Sequence, residues 1–183
     1  MNNENTNYKN IASFSLNEKK EQNLISLLFL LIAGIGGGLI FFTKSYENNI
    51  LPPWKIILSI IGFILVHELI HIFFMTVFAK GKVKVKVKFP TIAVGSDAYF
   101  NKRQYIIIAL APVFILGILT SITCFLFSYE FLFTILLVFN FASASGDYLL
   151  TFYALKQKKN SFFVDTAEET LVYYGRKIRK EDS

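Results

Sequence analysis

The chain contains two histidines, four residues apart around a glutamate: His67-Glu68-Leu69-Ile70-His71. In a helix, residues four apart share one face a single turn apart, so both imidazoles can reach one ion. Neutral imidazole is a good ligand for zinc, which in catalytic sites takes three protein ligands and keeps a position for water. Glu68, beside the first ligand, is placed to take a proton from that water. With two histidines and nine glutamates in 183 residues, random order yields this pattern in about one chain per thousand. The competing role for these side chains is a polar cluster that joins helices through hydrogen bonds.

The elements that must position them are apolar. Hydrophobic residues make up 54% of the chain and charged ones 17%, with a mean hydropathy of +0.47. Soluble domains sit nearer 45–50% and about 25%. Four long blocks hold the excess: 24–43, 54–79, 105–129 and 131–155. About 20 apolar residues span a bilayer core as a helix. The sequence therefore predicts an all-α membrane protein with four transmembrane helices over 24–155. A segment of 1–23 precedes them and a tail of 156–183 follows. The first block is too long for a signal peptide and has no small-residue cleavage site behind it. A single cysteine, Cys124, excludes an intramolecular disulfide and a cysteine-rich zinc site. Gly34 and Gly38 match the small-xxx-small pattern of close helix packing.

The net charge of +6 maps a topology. Lysines precede the first block and crowd the second connection and the tail, whereas Lys44 and Lys55 alone lie near the first connection. The positive-inside rule then places both termini and the second connection in the cytoplasm, with 17 of 19 basic residues on that side. Topology and attraction to anionic lipid account for the charge without nucleic acid. The expected partner is the lipid bilayer of the cell membrane, crossed several times.

Within the second connection, Lys82 to Phe89 alternates lysine with apolar residues, the pattern of a strand with one cationic face. Pro90 breaks it, Thr91 to Val94 can return, and Gly95-Ser96-Asp97 reads as a turn. A small cytoplasmic β-hairpin between helices 2 and 3 follows. Its lysines face headgroups, or its edge pairs with an extended substrate by β-addition. In the tail, Asp165 and Glu168 fit a capping box, and Leu171, Tyr174 and Ile178 fit one face of a short amphipathic helix.

A third ligand must come from a carboxylate outside the motif. Glu130 falls at the outer boundary, Asp97 in the cytoplasmic loop and Asp147 inside the fourth block. Depth separates them. His71 lies eight residues before Ala79, and Asp147 eight before Leu155. At 1.5 Å per residue, both sit about 12 Å from the inner ends of helices that run in the same direction. Asp147 can therefore meet the two imidazoles if helices 2 and 4 touch; its plainer role is a buried aspartate bonded to hydroxyls. Asn140 stands two turns before Asp147 on the same face. Its amide can hold a substrate carbonyl or oxyanion, or join two helices. Small residues from Ala142 to Gly146 allow close helix approach or leave room for a substrate chain. Pro112 predicts a kink in the third helix.

The His67–His71 motif in a membrane helix, with an aspartate after glycine in a later helix, resembles the site-2 protease class of intramembrane metallopeptidases. A closer resemblance is to a group of small bacterial membrane proteins described as "putative zincin peptidases". It also rests on the run from Ser96 to Tyr105 and on Ala109-Leu110-Ala111-Pro112, and covers about His67 to Leu150. The resemblance implies zinc ligation by His67, His71 and Asp147, with Glu68 as catalytic base. The chain departs from site-2 proteases in one stretch. Asn140 has no proline three residues on, and glycine precedes Asp147 rather than following it.

The expectation is a zinc metalloprotease that hydrolyses protein or peptide substrates in or near the membrane. The alternatives are a non-catalytic scaffold or metal-binding protein derived from a peptidase, and a transporter using the same residues as an ion path.

Overall fold

A computed structural model describes residues 6–42, 44, 51–79, 83–88, 91–127, 131–166 and 169–177. In chain order the elements are β1 (Thr6–Phe14), α1 (Lys19–Phe42), α2 (Pro53–Ala79), β2 (Val83–Lys88), β3 (Thr91–Asn101), α3 (Lys102–Leu126), α4 (Phe131–Ser143), α5 (Ser145–Lys156), β4 (Ser161–Asp165) and β5 (Thr170–Lys177). Helices predominate. Four helical segments are long and apolar enough to cross a membrane, with α4 and α5 forming one of them. Their outward faces stay apolar: Leu30 and Ile35 on α1 are 66% and 70% exposed. Such a surface suits lipid and is costly in water.

The fourth block differs from the uninterrupted helix expected over 131–155. It stops at Ser143 and restarts at Ser145 around Ala144, where no side chain caps the new start. The Ser145 hydroxyl donates to the Ala142 carbonyl at 2.7 Å. A run of small residues gives the helix little side-chain packing to hold it straight there, and serine competes for the backbone.

Helix α3 is the centre of the bundle, packed on α2, α4 and α5. Its start is well defined. The Asn101 side chain accepts from the Gln104 amide at 3.0 Å, and the Gln104 side chain accepts from the Asn101 amide at 2.9 Å. This reciprocal cap turns β3 directly into helix. Helix α1 packs on α4 and α5. Its contact with α4 passes through Gly36, where a Cβ would fall 2.2 Å from Val138 Cγ1.

The all-α expectation requires correction. A five-stranded antiparallel sheet, in the order β1-β5-β4-β3-β2, joins three segments of the chain. The expected hairpin is there as β2 and β3, although Lys82, Phe89 and Pro90 lie outside the described residues. Gly95-Ser96-Asp97 is not a turn but the middle of β3. There the strand leaves its pairing with β2 and, after a register shift, pairs with β4 through Phe100 and Asn101. Buried Gly95 marks a strand that changes partners rather than direction.

The tail is also strand where a helix was expected. Asp165 ends β4, and Leu171 and Tyr174 belong to β5; Glu168 and Ile178 lie outside the described residues. The physical reason lies in composition. Phe162-Phe163-Val164 and Thr170-Leu171-Val172-Tyr173-Tyr174 are rich in β-branched and aromatic residues, and Phe163 and Val172 become fully buried in the sheet. The neighbour for β5 on its other side is β1, from the N-terminal segment.

Sheet and bundle share one core of Met75, Phe100, Tyr105, Ile108, Ala154, Phe163 and Val172. Tyr105 stacks on Phe163 with centroids 4.6 Å apart, and its hydroxyl meets Thr170 Oγ1 at 2.9 Å. Met75 lies one turn beyond His71 on α2, so this core is the floor beneath the histidines.

Candidate metal centre

Helix α2 carries His67 and His71, and α5 carries Asp147 in its first turn. Asp147 follows the break at Ala144 by three residues, and the start of a helix favours a carboxylate. The two histidine rings meet edge to face, 4.9 Å between centroids. Their Nε2 atoms are 3.2 Å apart. Asp147 closes the triangle: Oδ2 lies 3.2 Å from His67 Nε2, and Oδ1 lies 3.5 Å from His71 Nε2. Asp147 on α5 is thus brought to both imidazoles on α2.

These distances test the fit to a metal. Zinc–nitrogen bonds of about 2.0–2.1 Å in a tetrahedron put neighbouring ligand atoms about 3.3–3.4 Å apart. The three contacts fall around that length, and His67, His71 and Asp147 could hold a metal ion. No second group of this kind occurs among the described residues. Side-chain exposures of 11%, 12% and 15% for His67, His71 and Asp147 leave the site mostly dry yet not sealed.

The second ring nitrogen of His71 is also engaged. Nδ1 lies 2.9 Å from the Ile108 carbonyl on α3. A carbonyl only accepts, so Nδ1 carries a proton and Nε2 is the nitrogen left to meet a metal beside His67 and Asp147. Ile108 went unnoticed in the sequence because its contribution is a backbone atom. The available signal was indirect: a proline four residues on.

Glu68 is half-buried and within electrostatic reach of His71, His67 and Asp147. Asn140 is fully buried and stands apart from the cluster. Its Nδ2 donates to the Val113 carbonyl at 3.0 Å. This is the helix-joining bond considered for it, made where Gly117 lets α3 approach: a Cβ there would lie 3.1 Å from the same nitrogen. Of the other carboxylates considered as ligands, Asp97 is exposed on β3, and Glu130 lies outside the described residues.

His67, His71 and Asp147 together could hold a metal ion on this helical scaffold, with Glu68 close by. A family model described as "putative zincin peptidase" matches residues 60–162, more than half of the chain, and the chain belongs to that family. The match runs from the first third of α2 into β4 and so contains every residue of the cluster. No curated protein and no solved structure matches the chain. The family description implies zinc, and the donor set and its spacing agree.

Proposed function

We propose that the protein is a zinc-dependent, membrane-embedded peptidase in which His67, His71 and Asp147 hold the ion and Glu68 moves the proton. The observation that carries this reading is the triangle of 3.2, 3.2 and 3.5 Å between ligand atoms, with the Glu68 carboxylate close by. Zinc bound there would acidify a coordinated water and polarise a peptide carbonyl.

The chain's own residues supply the remainder. The Glu68 carboxylate accepts the proton from the attacking water and returns it to the leaving amine nitrogen. His71 is held in the productive tautomer by the Ile108 carbonyl. Surrounding apolar helices limit bulk water, which strengthens every charge interaction inside.

Four long apolar helices support insertion as four spans, and the grouping of basic residues supports cytoplasmic termini and a cytoplasmic sheet. The site then lies towards the cytoplasmic leaflet. Substrates on this reading are unwound membrane segments or extended peptides. Strand β2 ends the sheet, and an edge of this kind can receive an extended chain.

The test is zinc content and peptide cleavage by the purified wild type beside Glu68→Gln and His71→Ala. The expected result is stoichiometric zinc in wild type and Glu68→Gln, loss of zinc in His71→Ala, and cleavage by wild type alone. A wild type that holds no zinc overturns the proposal. Zinc binding with a cellular effect untouched by Glu68→Gln would mark a non-catalytic role instead.

A further inference from the structure

We infer that Pro112 is a positioning residue for His71, acting through the carbonyl of Ile108; the inference rests on the metal-centre reading above. Helix α3 runs without interruption from Lys102 to Leu126 with Pro112 inside it. In such a helix the amide of residue 112 would bond the carbonyl of residue 108. Proline has no amide hydrogen, and its ring presses on that same carbonyl and turns it outward. Ile108 is thereby left with an acceptor that its own helix cannot satisfy, in a setting where buried acceptors require partners.

The partner comes from the facing helix. His71 Nδ1 donates to Ile108 O at 2.9 Å. That bond settles two properties of the ring at once. It places the proton on Nδ1, leaving Nε2 basic, and it stops the ring from turning over. Nε2 is the atom that meets His67 Nε2 at 3.2 Å and Asp147 Oδ1 at 3.5 Å. Pro112 itself contacts neither ion nor substrate in this scheme. A different residue at 112 would restore the amide, return the Ile108 carbonyl to its own helix and leave the histidine without its acceptor. The proline expected to kink the helix therefore has a second role, exporting one backbone acceptor to a neighbouring helix at the depth of the ligands.

The experiment uses Pro112→Ala and Pro112→Gly in the full-length protein. Both restore the amide hydrogen, but glycine is a much poorer helix former than alanine. Imidazole nitrogen NMR of the metal-free protein reads the His71 tautomer, and chelator competition reads zinc affinity. Wild type should show the proton on Nδ1. Both variants should lose that fixed tautomer, and zinc affinity should fall by about 10–100-fold in each, the usual effect of removing the partner of a ligating histidine. A merely structural proline would make alanine and glycine diverge in affinity and would leave the tautomer unchanged in whichever variant folds. Wild-type tautomer and affinity in both variants, or a wild-type Nδ1 that carries no proton, overturns the inference. Zinc failing to bind wild type at all would instead defeat the metal-centre reading, while the tautomer measurement still decides the role of Pro112.

Discussion

Replacing Asp147 with alanine tests the site most directly, because Asp147 contributes two of the three ligand–ligand contacts, at 3.2 and 3.5 Å. Zinc sites of small folded domains bind with an apparent free energy of about 10–16 kcal/mol. One of three protein ligands supplies about a third, roughly 3–5 kcal/mol, which weakens binding by roughly 200- to 5,000-fold. The consequence for stability can be calculated. At a zinc concentration of roughly 100 times the wild-type Kd, linkage stabilises the folded wild type by about 2.7 kcal/mol. For a chain of 183 residues this corresponds to a rise in Tm of roughly 5–11 °C. At the same zinc concentration Asp147→Ala sits below about half saturation and gains less than about 0.3 kcal/mol, so its Tm should move by about a degree or less. Thermal unfolding of the detergent-solubilised protein, titrated with zinc and then reversed with chelator, measures both. Asp97→Ala, exposed on β3, should keep the full wild-type shift. A zinc-dependent shift that survives in Asp147→Ala, or disappears in Asp97→Ala, would refute the assignment of the third ligand.

Three further outcomes concern the scaffold. Gly36→Ala drives a Cβ to within 2.2 Å of Val138 Cγ1 and should cost about 1–3 kcal/mol by overpacking; Val138→Ala in the same chain should recover part of it in an unfolding titration. Tyr105→Phe removes the partner of Thr170 Oγ1, which is buried. It should cost about 1–3 kcal/mol, read by the same method, with zinc affinity unchanged. Asn140→Ala breaks the bond to the Val113 carbonyl and leaves a cavity, for a loss of about 2–4 kcal/mol. If joining α3 to α4 is its whole role, chelator competition should find wild-type zinc affinity in that variant.

The helices were legible because their signal is local and strong: an uncharged run such as 24–43 has few other folds available. The cluster was legible for a similar reason, since a four-residue spacing on a helix and an equal depth on another are simple geometry. The sheet was not. Its strands are short, and β1, polar over much of Thr6–Phe14, is stabilised by pairing with a segment more than 150 residues away. The spacing of Leu171 and Tyr174 suits a helix when read alone, whereas β4 and β1 on either side decide otherwise. Gly95 misled for the opposite reason: glycine commonly marks a turn, yet here it sits where β3 passes from β2 to β4. The Ile108 carbonyl was hidden because side-chain patterns do not register backbone acceptors.

The order of the sheet imposes a parity on any path through a bilayer. Strand β1 precedes α1, β2 and β3 stand between α2 and α3, and β4 and β5 follow α5. Hydrogen-bonded neighbours cannot be parted by lipid, so each excursion away from the sheet must return to the side it left. On the proposed insertion, the α1–α2 pair would make one round trip and α3 with the broken α4–α5 rod the other. Odd numbers of crossings are forbidden between any two sheet segments, whatever the lysines prefer. Reversing one helix alone would tear the sheet, so an inserted chain would invert only as a whole.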